Sequence, residues 1–463
     1  MNTIVRLAAL TIKNFKNVTN GRVIMPGALG KSFIRDNSEV LGIYGQNGSG
    51  KTAVVDVMYF LQQIFLGEKL DEEIADYISA DAETAEIEVD YNIFIKRVIY
   101  EVTYKVSLRK EDRSVVIIRE SLSCAKNECD KRTNKTVFME FDRNDTSQVF
   151  KPAIRVQELI EENKENKTDI IVAKKMAEKS NCSYIFGESS REIFCKEYLN
   201  GFKDYAFIIS TLYKYAVKDL FVIRSSHSGV ITAQIVLPMA FRLDESDGGS
   251  KGDLPIFMKD PITLPLREKQ LLYGIVGQIN LVINKIIPGL QISIKEHGKQ
   301  ALDSGEDGWK VELMSKRDGQ SEIPIRMESE GIVKIISILS ALIQAYNEPS
   351  VCLVIDELDA GIFEFMLGEL LDIFNTDGKG QLLFTSHNLR ALEMLDKENI
   401  MFSTVNPDNR YIRMKNLRES NNFRKQYIKT LTLGGQDELI YDETNSLKIA
   451  RAFRKAGRSI GES

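Results

Sequence analysis

The run GQNGSGKT at 45–52 fits the spacing G-x-x-x-x-G-K-[ST] without a mismatch. It follows the apolar segment VLGIY and opens a helix-periodic stretch, the strand-to-helix setting that phosphate binding requires. The glycines let the backbone approach a polyphosphate. The successive amides of Gly45, Gln46, Asn47, Gly48, Ser49 and Gly50 then face its charge at a helix start. Lys51 is placed to reach the β- and γ-phosphates, and Thr52 to hold Mg2+ through its hydroxyl.

A second segment supplies carboxylates. VCLVIDELD reads as a buried parallel strand whose C-terminal end, the ligand-binding end of such sheets, carries Asp356 and Glu357. Asp356 is placed to reach the metal through Thr52 or water, and Glu357 to orient and deprotonate an attacking water. QLLFTSHN delivers Ser386 and His387 to the same edge. There His387 is read as a γ-phosphate contact that reports nucleotide state, a plain structural hydrogen bond being the alternative. His227 and His297 have no such setting. MESEGIVK at 327–334 allows two readings. Ser329 either caps a surface helix, or with Gly331 forms an anion site from a hydroxyl and free helix-start amides.

These residues need a sheet and helices to hold them. LAALTIKNFKNV alternates as a strand with Leu10, Ile12 and Phe15 inward, and apolar spacing from Ala53 to Leu66 is helical. EIEVDYNIFIKRVIYEVTYKVSL and RSVVIIRESL predict an antiparallel meander. KEYLNGFKDYAFIISTLYKYAVKDLF predicts a helix, GGSKGDLP (248–255) a mobile loop, and REKQLLYGIVGQINLVINKIIPGL a helix stopped by Pro288 and Gly289. LQISIKEH, WKVELMSK and EIPIRMES predict strands. The fold class is α/β, a mixed and parallel sheet with an antiparallel lobe. Residues 1–123 and 291–463 form its two halves, and a mostly helical insertion at 124–290 interrupts it. Gln62 and Gln63, inside the first helix, read as surface and core filler.

Composition sets bounds. Of 463 residues 43% are hydrophobic and 27% charged, as in ordinary globular chains. The net charge of −5 argues against a surface that coats nucleic acid, although Lys448, Arg451, Arg454, Lys455 and Arg458 form a basic end. No CxxC pair occurs among the 5 cysteines, so a zinc site is not expected and a reducing, cytoplasmic setting is. No signal-type apolar segment opens the chain, and no apolar run reaches the ~18 residues of a membrane span.

The order of motifs, from P-loop through a long insertion to Ser-x-Gly before a helix, acidic strand and strand-end histidine, resembles that of the ABC-type ATPases. The resemblance is to their SMC-like and RecF-like soluble branch and covers the two ends of the chain. It implies ATP and Mg2+ as ligands. It also implies a homo-oligomer of at least two chains, in which Ser329 and Gly331 contact the γ-phosphate held by the opposite subunit. Glu330 stands where the transporter signature has glycine, and Phe363 where the SMC D-loop has aspartate. Asp359-Ala360-Gly361-Ile362 is more similar to the E-N-G-L of the OLD-like ATPases of bacterial defence systems, and NLRESNNFRKQYIKTLTLGG is similar to the usual end of such an ATPase.

OLD nucleases add a Toprim domain, for which residues 388–463 are too few, and no DxD cluster or HNH-like histidine set is seen. In size and layout the chain is most similar to the ATPase subunit of PARIS antiphage systems. That implies a toxin-antitoxin-like sensor with slow ATP turnover and no nuclease activity of its own. It would hold a separate Toprim-type nuclease effector until a phage protein triggers release, with 124–290 as the region for partner or trigger contacts. Two alternatives stay open: a RecF-like DNA repair ATPase that clamps DNA with salt-dependent affinity, and a scaffold in which ATP is structural.

Overall fold

The computed structural model describes residues 3–30, 35–111, 114–129, 131–196, 200–225, 236–243, 250–302, 305–414, 424, 427–428, 438–441 and 445–458. An antiparallel lobe opens the chain. Its order is β2 (Val18–Ile24), β1 (Ile4–Phe15), β4 (Thr84–Ile95), β5 (Val98–Glu111), β6 (Ser114–Glu128) and β7 (Lys131–Arg132), with β8 (Thr136–Asp142) also on β6. Alternation forms these strands: in β4 every second residue from Ala85 to Ile93 is buried, which lines one face with Ile87, Val89 and Tyr91. Leu10, Ile12 and Phe15 are buried as expected.

The central sheet runs β19 (Tyr411–Ile412), β18 (Ile400–Ser403), β3 (Glu39–Tyr44), β17 (Gln381–Ser386), β16 (Cys352–Ile355) and β9 (Leu220–Ile223). All are parallel except β19. Every residue of β3, β16 and β17 is buried, the continuous burial of parallel strands covered on both faces. Helix α1 (Lys51–Leu66) lies between sheet and lobe. Its apolar residues point in nearly all directions, and they share one core with β1, β4, β5 and β6.

Helices α2 (Ala153–Glu162), α3 (Asn166–Ser180), α4 (Glu188–Phe194) and α5 (Lys203–Lys218) join that same core. Buried Glu120 on β6 ties them on, accepting hydrogen bonds from Tyr104 Oη (2.6 Å), Ser183 Oγ (2.6 Å) and the Tyr184 amide (2.7 Å). A second core gathers the hairpin β10 (Val236–Leu243)–β11 (Ser250–Phe257), the small sheet β12 (Ile262–Pro265), β13 (Gln291–Ala301), β14 (Asp307–Lys316) and β15 (Ile323–Pro324), and helix α6 (Leu266–Ile286). It also takes in α7 (Glu330–Asn347) and α8 (Glu364–Asp377), with α9 (Ala391–Met394) following. Arg6 links lobe to sheet: nearly fully buried, its guanidinium pairs with Glu39 at 2.7 Å and donates to the carbonyls of Pro349 and Lys379.

Several expectations need correction. The boundary at 123/124 falls inside β6, because alternate burial continues through Leu122 and Cys124. The segment 124–290 is helical only in part: LFVI at 220–223 is a central strand, a run too short for its period to separate strand from helix. The expected loop at 248–255 contains strand residues from Ser250 onward. Pro238 and Pro255 face each other across this pair, which among the described residues is two-stranded with an open edge on each strand. EIPIRMES is strand only at Ile323–Pro324, then a 3-10 turn. The basic end forms α10 (Ser446–Arg458). Of NLRESNNFRKQYIKTLTLGG only Arg424, Tyr427 and Ile428 lie within the described residues, and His227 lies outside them.

Candidate functional site

Strand β17 separates the P-loop strand β3 from the acidic strand β16, in parallel register with both. Gly45, His387 and Asp356, each following one of these strands, therefore emerge at one edge of the sheet. Gly45 has φ 154, and a Cβ there would stand 2.0 Å from Ser403 Oγ, so no other residue fits. Ser49 Oγ donates to the Gln46 carbonyl (2.7 Å), and Tyr411 Oη to the Gly50 carbonyl (2.6 Å), which fixes the loop from within and below.

Lys51 is 6% exposed, and its ammonium donates to the carbonyls of Gly45 and Gln46 at 2.9 Å. Burial pushes its pKa down to about 8, against the pull of Asp356, Glu357 and Asp359. Asp356 is 1% exposed. Its Oδ1 accepts from Thr385 Oγ1 at 2.6 Å and lies 3.4 Å from Thr52 Oγ1, while Oδ2 is buried without a partner. A buried carboxylate oxygen with nothing to bond, beside a threonine hydroxyl, is the hard oxygen donor set that Mg2+ prefers. These residues fit the ion.

Glu357 follows at φ 49, a left-handed conformation that costs a non-glycine residue roughly 1–2 kcal/mol. Its amide donates to Thr385 Oγ1 at 2.8 Å, and its carbonyl accepts from Lys334 Nζ at 2.5 Å and the Ala360 amide at 3.0 Å. The His387 amide donates to Asp359 Oδ2 at 3.0 Å. Burial, and then the neighbouring Lys51 ammonium, lower the His387 pKa, so its imidazole is neutral at pH 7.

One cavity of about 560 Å3 collects Asn47, Gly48, Gly50, Lys51, Thr52, Asp356, Glu357 and His387. Ser329 and Gly331 are not in its lining. Ser329 occupies the N-cap position of α7, exposed as the surface-cap reading expects, but its side chain makes no cap bond. Gly331 has a packing reason: a Cβ there would stand 1.9 Å from the Gly361 carbonyl oxygen.

Sequence reasoning missed several residues. Lys16 and Asn17, in the β1–β2 turn, also line the cavity; Lys16 pairs with Asp56, and Asn17 donates to the Gly48 carbonyl. No local spacing announces them, because their partners are brought in by the lobe. Thr385 and Lys334 were missed because their partners, Asp356 and Glu357, follow a different strand of the central sheet. Gln62 and Gln63 lie elsewhere, bonding to Ala216, Leu220 and Asp71. His297 pairs with Glu312 at 3.0 Å, far along the chain from any cavity residue.

No family model and no curated protein matches the chain. Solved structures do. An SmcHead bound to the C-winged helix domain of ScpA superposes with TM-score 0.42 at 13% identity, over 88% of this chain and 97% of that one. An Smc head domain with an extended coiled coil, bound to the C-terminal domain of ScpA and derived from Pyrococcus furiosus, gives 0.41 at 13%, over 93% and 99%. An SMC head domain from Thermotoga maritima gives 0.37 at 12%, over 89% and 100%. At these values the likeness adds nothing to the geometry above.

Proposed function

We propose that this chain binds and hydrolyses ATP. One observation carries this reading: Lys51, Thr52, Asp356, Glu357 and His387 line a single cavity in which a carboxylate oxygen is buried and unpartnered. Thr52 and Asp356 would hold Mg2+, which there neutralises phosphate charge. Lys51 exchanges the carbonyls of Gly45 and Gln46 for phosphate oxygens. Glu357 orients a water and accepts its proton as that water attacks. Neutral His387 donates a hydrogen bond toward the outer phosphate.

The lowered pKa of Lys51 gives a pH test. Below about 8 the free protein carries the ammonium, and above it the proton is lost. Bound polyphosphate favours the charged form, so binding at pH 8.5 takes up a proton and affinity falls as pH rises from 7 to 9. Calorimetry of ATP binding at pH 8.5, in buffers of different ionisation enthalpy, reads this directly. No buffer dependence would refute the assignment.

Ser329, exposed and outside its own cavity, suits a site completed by a second copy. Ser329→Arg is expected to leave nucleotide affinity within about threefold, abolish ATP-dependent dimers in light scattering and lower turnover at least tenfold, the size of a lost charge-stabilising contact. A wild-type chain that stays monomeric in saturating Mg-ATP would refute the reading of Ser329.

The finer role rests on the resemblance of the DAGI run and the motif order. It is that of an AriA-like ATPase of a PARIS antiphage system, cytoplasmic and multimeric, which holds a separate Toprim-type nuclease effector until a phage protein triggers release. Affinity purification from the native operon in Mg-ATP tests it. A stoichiometric nuclease-like companion supports the sensor, and recombination proteins or DNA instead support a DNA-clamping repair ATPase.

A further inference from the structure

Lys334 is the last residue of MESEGIVK and plays no part in the nucleotide contacts above. It is 3% exposed, and its ammonium donates to the main-chain carbonyl of Glu357. A buried lysine is expensive unless its charge is used, and burial lowers the pKa of this one against four nearby carboxylates, Asp359, Glu357, Glu330 and Asp356. A Met, of similar length, would fill much of the same space without that cost.

The bond it makes has an evident object. Glu357 sits at φ 49, and such a conformation persists only when its surroundings over-determine it. Its peptide groups are held on both sides: Thr385 Oγ1 takes the amide, while Lys334 and the Ala360 amide take the carbonyl. Thr385 is itself fixed by Asp356. Gly331, one turn earlier on the same helix face, lets α7 come close to the Gly361 carbonyl, and that approach brings Lys334 to Glu357.

We propose that Lys334 is a positioning residue for ATP hydrolysis, holding the Glu357 backbone in its left-handed conformation so that the carboxylate is aimed into the cavity. This rests on the ATPase reading. Because Ser329 occupies the N-cap position of α7, the helix that presents the exposed serine also grips the base: a shift of α7 at its start moves Lys334 on Glu357. The N-terminal turns of one helix would thus address two different nucleotide cavities.

Lys334→Met keeps the length and removes the donor. Its kcat is expected to fall 10- to 100-fold, the scale of a misplacement near 1 Å, with ATP affinity within threefold. In a Glu357→Gln background the same change should lower turnover no further, since Lys334 acts only through the carboxylate. A purely structural lysine would add its cost in both backgrounds. Hydrogen exchange across 357–362 is the second readout, independent of turnover: the Ala360 amide should exchange at least tenfold faster in Lys334→Met. If that variant does not fold, Lys334→Arg, which keeps a donor, takes its place and should retain slow exchange and turnover within tenfold of wild type. Unchanged exchange with unchanged kcat in folded Lys334→Met overturns the inference, as does an Arg variant that folds but exchanges fast. So does an additive double variant. A wild type that hydrolyses no ATP, yet shows the exchange difference, sinks the ATPase reading and leaves the clamp standing.

Discussion

Glu357→Gln is expected to bind ATP within threefold of wild type and to lose at least 100-fold in turnover. General-base catalysis contributes about 10²–10⁴-fold, and the amide retains the shape of the side chain while losing its basicity. The backbone that aims residue 357 is set by Thr385, Lys334 and Ala360, none of which touches the side chain through these bonds, so the substitution leaves the geometry in place. Steady-state phosphate release and equilibrium nucleotide binding, measured on the same preparation, separate the two effects. Equal turnover in both proteins would show that ATP is not cleaved through this carboxylate, and would favour the scaffold. Glu357→Gly offers a complementary check. Glycine adopts φ 49 without strain, so this variant should be as inactive as Glu357→Gln yet more stable by about 1 kcal/mol.

Gly331→Ala should be the most damaging added methyl group among the described glycines of the chain's last third. The added carbon meets a backbone oxygen at 1.9 Å, which no side-chain rotation can relieve, so either α7 or the turn through Gly361 must move. Overpacking of this kind costs about 1–3 kcal/mol, and the movement breaks the approach that seats Lys334 on Glu357. The expected result is a melting temperature lower by a few degrees together with a turnover loss of about tenfold or more. Gly274→Ala, in α6 with open space around its Cβ, is the control and should gain up to about 1 kcal/mol. Equal behaviour of the two variants would mean that α7 does not sit against the Gly361 turn in solution.

The P-loop and the acidic pair were legible because each is a contiguous run whose spacing carries its own chemistry. Strands β1, β4 and β5 were legible because alternation is local. What could not be read was set by partners distant in sequence. Thr385 reaches Asp356 and Glu357 from another strand, Lys334 reaches Glu357 from another helix, and Asn17 reaches the P-loop from the lobe. The case of Gly331 is instructive. Its motif pointed to an anion site, yet within one chain the glycine is required by a backbone 1.9 Å away from any Cβ it might carry. Likewise, nothing in LFVI distinguishes an outer strand of the central sheet from the last turn of the helix before it.

The place of β3 bears on synthesis. Its only neighbours in the sheet are β17 and β18, which lie more than 330 residues downstream, and all six of its residues are buried in the finished protein. A ribosome making roughly 5–20 residues per second completes the phosphate loop on the order of tens of seconds before either neighbour exists. During that interval an apolar strand waits unpaired, a natural client for a chaperone. A message cut short between α1 and β17 yields a polypeptide that owns a perfect phosphate-binding motif without the strands that hold it in the sheet.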